Sequence, residues 1–483
     1  MPSRSSPRRP APGRNVGLEP GAWSRFVATL HERLGSEHVL DDPVTLDAHA
    51  ADAFGIGHRP DVVVRPADTA GVAFVARHCQ GAGVPLVVRG AGTGYTGGAV
   101  PLSGGVVLSM ARLDRILTID DANLLVVVQP AVITADVQRA VEARGLFYPP
   151  DPASLESCSI GGNVAECAGG PRAFKYGVTK RYVLSLEAVL PTGEVIRTGS
   201  KAVKNVVGYD LTQLLVGSEG TLAIVTEITL RLVPLPPARA ALSAWFADVT
   251  DAVDGVSAVI RAGVVPAALE LIDEPSLHAV EAYVRESLVP AGAKALVVIE
   301  CDGMPAGVEE EVDRVQAAVT GAGAVSVVRA RDEAERERVW FVRRQLSFSL
   351  RATGAHKINH DVVVPRGRVP DLFREVERLR GEYRLTIACF GHAGDGNIHV
   401  NILIDHADAD QRARASRAER ELFARVVALE GSISGEHGIG FTKAKHLDVE
   451  LSPDVIALMQ RVKAAFDPAG ILNPGKIFPR PGS

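Results

Sequence analysis

Cysteine is scarce in this chain. Its five cysteines, Cys79, Cys158, Cys167, Cys301 and Cys389, are spread over 483 residues and none stands in a CxxC spacing. That pattern excludes a disulfide framework and a cysteine-built iron–sulfur or zinc cluster, and it points to a reducing compartment. Aromatic residues are few as well, at 5%. With 52 basic against 57 acidic side chains and a net charge of -5, the chain has neither the cationic field nor the stacking platforms of a nucleic-acid protein. No apolar run is long enough to span a bilayer, because the best stretch, 214–235, is interrupted by Glu219, Glu227 and Arg231. The opening MPSRSSPRRPAPGRNVG has arginine and proline but no apolar core. It does not read as a secretory signal, and residues 1–20 are expected to form a disordered tail. The expected location is the cytoplasm, with attachment to the inner face of the membrane through a partner as the alternative.

What is present is an ordinary globular composition, 46% apolar and 23% charged, over a length that fits two or three cores. β-branched runs at 61–65, 84–89, 105–109 and 124–128, with helical periodicity at 68–82 and 134–145, make the first half α+β. Strands at 183–190, 194–198 and 222–233 continue it, and LVPLPPARA then breaks regular structure and sets a boundary near 235. From 238 to about 440, long helical stretches (251–262, 306–320, 332–352, 366–380, 409–429) alternate with strand-like runs (240–247, 295–301, 324–330, 361–364, 385–390, 398–404). That is the rhythm of an antiparallel sheet backed by helices. The remainder carries one helix near 452–465 and no core of its own, so it must pack back on another domain.

Glycine clusters where the backbone must turn sharply or approach a ligand. Residues 89–98 read RGAGTGYTGG, five glycines in ten positions directly after a strand. A loop so stripped of Cβ atoms can turn its N–H groups inward around a pyrophosphate. Gly92, Gly94 and Gly97 match the nicotinamide-dinucleotide string, but that fingerprint opens a helix, and here AVPLSGGVVLSM runs into another strand. No Lys-Ser/Thr pair follows, so a Walker loop fails too.

With PPDPASLESCSIGGNVAECAGG at 149–170 and GSEGTLAIV at 217–225, the loop resembles the FAD-binding domain of the vanillyl-alcohol oxidase superfamily. Within it the chain is most similar to the flavin subunit of glycolate oxidase and to flavin-dependent D-lactate and D-2-hydroxyglutarate dehydrogenases, over roughly 60–478. The resemblance implies an FAD-binding domain at 21–235, a substrate (cap) domain at 236–445 and a segment, 446–483, packing back on the first. It implies a pyrophosphate cradle of Arg89, Gly90, Ala91, Gly92, Thr93, Gly94, Tyr95, Thr96, Gly97 and Gly98. The ribityl chain and ring edge would meet Pro150, Asp151, Ser157, Ile160, Gly161, Asn163, Ala165, Gly169, Glu219, Gly220, Ile224 and Val225, with Asn473 from the C-terminal segment. Where relatives often carry asparagine before Ala-Gly-Gly, this chain has Cys167. No histidine lies in 84–100 or 149–170, so noncovalent FAD is expected.

Two further glycine-rich segments hold histidines: FGHAGDGNIH at 390–399 and GSISGEHGIG at 431–440. His392 ends one expected strand and His399 begins the next, so a tight turn would bring both imidazoles to one end of adjacent strands. Glu436 could add an oxygen, giving a two-histidine, one-carboxylate set with open positions. Polar packing of a glycine-rich hairpin would use the same residues. The resemblance implies His392, His399 and Glu436 as ligands of a divalent metal and His437 as base; the ligand set suits zinc, with manganese or iron as alternatives. It also implies a carboxylate-binding arginine at Arg343 in the WxxR pattern with Trp340, and a basic residue at Lys357. Arg344 and Arg351 look the same locally.

The expected reaction is oxidation of glycolate or D-lactate to the 2-oxo acid, with hydride passing to flavin N5. Reoxidation needs a separate acceptor, namely a quinone, a cytochrome, an electron-transfer flavoprotein or an iron–sulfur subunit, in a hetero-oligomer or a homodimer. The alternatives are a flavin subunit inactive alone, a D-2-hydroxyglutarate dehydrogenase, and a non-redox flavoenzyme like alkyl-glycerone-phosphate synthase.

Overall fold

The computed structural model describes residues 17–479. Most of the tail expected over 1–20 lies outside the described residues, and the helix Pro20–Leu34 begins at its end. Three parallel strands, Val62–Val64, Val106–Ser109 and Leu86–Arg89, with Val39–Leu40 at one edge, form a first sheet. Val62, Val63 and Val64 are all buried, as expected of a parallel sheet covered on both faces. The glycine-rich loop leaves Leu86–Arg89 and reaches Val106–Ser109 without a helix between them, which bears out the rejection of a nicotinamide fingerprint. A second, antiparallel sheet orders Ile116–Asp120, Leu125–Val128, Ile224–Arg231, Val183–Val189 and Val195–Gly199.

From Ala238 the chain builds a seven-stranded antiparallel sheet in the order Ser326–Arg329, Ala238–Phe246, Ala295–Gly303, Ala268–Ile272, Thr386–His392, Asn397–Ile404, His356–Val363. Side chains alternate between its faces. Leu242, Ala244 and Phe246 share a core with the helices Val249–Arg261, Pro305–Gly321, Val369–Tyr383 and Ala409–Ala428. Ala241, Trp245, Ile272 and Phe390 look the other way, onto Glu274–Val284 and Glu333–Ala352. The architecture is α+β, with an antiparallel sheet backed by helices.

The strand Ala268–Ile272 and the helix Glu274–Val284 lie where the sequence pattern assigned nothing. The strand is short and broken in polarity by Glu270, and the helix starts at an Asp273 cap whose carboxylate accepts Ser276 N–H at 3.0 Å. His356–Val363 begins five residues before the expected 361, because its first half, HKINH, shows no apolar alternation. After the helix Pro453–Phe466 the chain returns to the first sheet, where Leu472 pairs with Leu86 and Asn473 N–H donates to the Leu86 carbonyl at 2.8 Å. Leu86 and Leu472 are fully buried, each contributing about 1.5–3 kcal/mol by leaving water.

Candidate active site

A cavity of about 780 Å³ opens between the two sheet systems. One wall is the glycine-rich loop with the segments around Asp151, Gly161 and Glu219, and the other carries Arg343, Lys357, Phe390, His392, His399, Glu436 and His437.

The first wall is built as an anion cradle. Among the described residues, the backbone N–H groups of Gly90, Ala91, Gly92, Thr93 and Gly94 have no protein acceptor. A Cβ on Gly90 would stand 2.5 Å from Ser159 Oγ, so only glycine lets the loop lie against the Ser159 helix cap. Gly92 has φ +72° with the Arg89 guanidinium directly behind it, a conformation that suits glycine. Free N–H groups in a Cβ-poor loop fit a pyrophosphate. Ala165, Asn163, Gly161, Ser157, Asp151, Gly220, Val225 and Asn473 line the same cavity. Burial pushes the Asp151 carboxyl up to about 7 against the pull of Arg172. Beside Glu219, burial and the neighbouring negative charge push Glu166 well up.

Other residues of the expected cofactor set support this wall from behind. Ile160 and Ile224 are fully buried in the cores, and the Pro150 carbonyl accepts Gln138 at 2.9 Å. Thr96 Oγ1 donates to the His437 carbonyl at 3.0 Å, and the Gly97 carbonyl accepts Lys476 Nζ at 2.6 Å. Arg89 sits beneath the loop with its NH2 3.5 Å from the Ala48 carbonyl. Gly169 lies against the opposite wall, where a Cβ would stand 2.5 Å from Glu436 Oε2.

The second wall follows from strand register. Glu270 lies opposite His392, His392 opposite Asn397, Phe390 opposite His399 and His399 opposite Asp361. Because side chains alternate, all of these share one face. Each imidazole therefore has a carboxylate on a neighbouring strand at its Nδ1: His392 to Glu270 Oε1 at 2.5 Å and His399 to Asp361 Oδ1 at 3.6 Å. Both Nε2 atoms turn to Glu436 Oε1, at 3.3 and 3.7 Å. Asp361 Oδ2 accepts the N–H groups of Gly435, Glu436 and His437 at 2.9, 2.7 and 2.9 Å, fixing the loop that carries the carboxylate. The His437 ring stacks on His399 at 5.2 Å and on Tyr95 at 5.5 Å. Ligand atoms of Asp361, His399, Glu436 and His437 lie within 4.8 Å of one another.

Electrostatics separate the two histidines. Burial works against a charge on His392, but Glu270 and Glu436 outweigh it and hold the imidazole protonated. Burial and His437 push His399 down to about 3. Although burial opposes its charge, Glu270 is held at about 2 by His392 and Arg343. Two imidazoles around one carboxylate, with Glu270 behind His392, form a donor set that fits a divalent metal.

The three arginines of the helix Glu333–Ala352 differ in structure though not in local sequence. Arg343 is buried, its Nε donates to Glu270 Oε2 at 2.5 Å and its guanidinium lies over Phe390. Arg344 pairs with Glu337 at the surface, and Arg351 donates to the Tyr95 hydroxyl at 2.6 Å. Lys357 Nζ lies 5.4 Å from the Tyr95 ring centroid, and burial with the nearby Arg351 pushes its pKa down to about 8. Glu270 and Asp361 were missed as site residues. The one available signal was a lone acid inside an apolar strand, in AALELI and HDVVV.

An anion cradle in one domain facing imidazoles, carboxylates and cations of another is the arrangement a cofactor-dependent oxidoreductase needs. Residues 60–199 match the FAD binding domain family, and 235–477 match the FAD linked oxidases, C-terminal domain. The chain is 43% identical over 419 residues to glycolate oxidase subunit GlcD of Bacillus subtilis, covering 87% of this chain and 89% of that one. It is 35% identical over 426 residues to D-lactate dehydrogenase of Anaerostipes hadrus, covering 87% and 90%. A structure of p-cresol methylhydroxylase with substrate bound superposes with a TM-score of 0.80 at 19% identity, covering 96% of this chain and 98% of that one. The chain belongs to the FAD-linked oxidases, and it is an FAD-dependent oxidoreductase.

Proposed function

We propose that this oxidoreductase converts a small D-2-hydroxy acid, glycolate or D-lactate, to the 2-oxo acid, using noncovalent FAD and a divalent metal. The observation that carries the reading is the convergence of His392 Nε2 and His399 Nε2 on Glu436 Oε1, beside His437, in the cavity that the glycine-rich loop also lines. The names of the relatives, a glycolate oxidase subunit and a D-lactate dehydrogenase, support it.

When bound, FAD supplies the two-electron acceptor, and a metal on His392, His399 and Glu436, with zinc suited to this donor set ahead of manganese or iron, supplies Lewis acidity toward a chelated 2-hydroxy acid. His437 takes the hydroxyl proton, its ring clamped between Tyr95 and His399 beside Glu436. Arg343 and Lys357 give the substrate carboxylate its cations. The dispersed cysteines build no second electron carrier. Electrons therefore leave to a separate quinone, cytochrome, electron-transfer flavoprotein or iron–sulfur subunit, and a relative named as a subunit supports a hetero-oligomer.

The test is anaerobic bleaching of the purified yellow protein with glycolate, D-lactate, L-lactate, D-2-hydroxyglutarate and D-glycerate, each with and without a chelator. Bleaching by glycolate or D-lactate that the chelator abolishes is expected. A yellow protein that neither acid bleaches overturns the reading.

A further inference from the structure

We propose that Glu270 is a positioning residue that ties the substrate-binding arginine to a metal-ligating histidine, so that the affinities for metal and for substrate carboxylate are coupled through one carboxylate. The inference rests on the reading of the site given above and concerns a residue outside the expected ligand and base set.

Glu270 has no solvent exposure and sits in a five-residue strand, flanked by Leu269 and Leu271 in the core on the other face. Burying an acid there is costly unless both oxygens are satisfied. They are satisfied by two different functional groups, Oε1 by His392 Nδ1 and Oε2 by Arg343 Nε, each at 2.5 Å. Strand register supplies the first partner, since Glu270 and His392 are directly opposed. The helix Glu333–Ala352, packed on that face, supplies the second.

Each bond leaves the partner's useful end free. With Nδ1 engaged, His392 has only Nε2 to offer, and Nε2 faces Glu436. With Nε engaged and its plane over the Phe390 ring, Arg343 keeps both terminal nitrogens without a hydrogen-bond partner among the described residues. An arginine pinned through Nε presents a preorganised fork to a carboxylate. His399 has no equivalent support, because its carboxylate neighbour stands 3.6 Å away and spends its other oxygen on three backbone N–H groups. The two partners share the negative charge of Glu270. Weakening one bond therefore strengthens the other, which a purely structural ion pair would not transmit to metal affinity.

The experiment is a double-mutant cycle on the FAD-loaded protein with Glu270→Gln, Arg343→Met and the pair, reading zinc affinity by competition with a chromophoric chelator alongside KM and kcat. Glu270→Gln is expected to weaken zinc binding about 10- to 100-fold while FAD stays bound. Excess zinc should then restore kcat but leave KM for the hydroxy acid raised. Arg343→Met, which among the described residues removes a hydrogen bond to Glu270 and none to His392, is expected to tighten zinc binding several-fold, an effect that vanishes in the Glu270→Gln background. Glu270→Asp, which keeps the charge, should recover part of the affinity if Glu270→Gln folds poorly. Unchanged zinc affinity in Glu270→Gln, or the same Arg343→Met effect with and without Glu270, overturns the coupling. A parent protein that holds no zinc and that no hydroxy acid bleaches overturns the functional reading itself, and the coupling with it.

Discussion

Glu219, on the first domain, grips Gly440 on the second: its carboxylate accepts the Gly440 N–H and that of Ile439, each at 2.7 Å. The loop so held is the one that carries Glu436 and His437. Its other end is pinned by Asp361, so Glu436 and His437 are positioned by carboxylates from both domains. Glu219→Ala would leave two N–H groups without acceptors, at a cost of about 2 kcal/mol or more. We expect a lower thermal transition and a larger loss in flavin reduction by substrate than in FAD content, measured on the same preparation.

Removing the His437 imidazole should separate binding from chemistry. His437→Asn is expected to keep its flavin and slow anaerobic flavin reduction by at least about 100-fold. Stopped-flow absorbance reads it directly, and near-parent rates would remove His437 from the mechanism.

The cavity lysine predicts an alkaline limb. Burial pushes Lys357 down to about 8, so its charge is present below that pH and lost above it. If Lys357 meets the substrate carboxylate, kcat/KM is highest below about pH 8 and falls as the pH rises through it. Lys357→Arg should move the limb out of range, because arginine keeps its charge, and Lys357→Met should abolish it at a lower plateau. A profile for Lys357→Met that overlays the parent would exclude the role.

One glycine makes room for Glu436. Because a Cβ at 169 would stand 2.5 Å from Glu436 Oε2, Gly169→Ala should displace that carboxylate without removing any donor. Lower metal occupancy after dialysis, with FAD retained, is the expected result. Full occupancy would mean that Glu436 does not need its present position.

Much of this site was legible because its chemistry is punctuated by glycine. The loop 89–98 and the segments around His392 and Glu436 stand out in the sequence for the reason they work in the fold, since each needs backbone without Cβ atoms. The helix Glu333–Ala352 was legible too, from its periodicity. Arg343, Arg344 and Arg351 were not distinguishable on it, because Arg344 and Arg351, seven positions apart, share one face with Arg343 beside it, and only packing says what each of them meets.

The sequence by itself determined most of the element pattern, the motifs that carry the family resemblance and the residue types that can hold a flavin and a cation, all of which are read from neighbouring residues. Tertiary structure decided the partners. Glu270 and His392 are 122 positions apart and meet because two strands align in register, while Asp361 reaches the Glu436 loop across 75. Such contacts depend on strand order and on which face each side chain takes, and no stretch of neighbouring residues encodes either. The same physics drew Glu270 away from solvent. A lone acid in an apolar strand is costly until the fold supplies its two cations, and only then does it become part of a site.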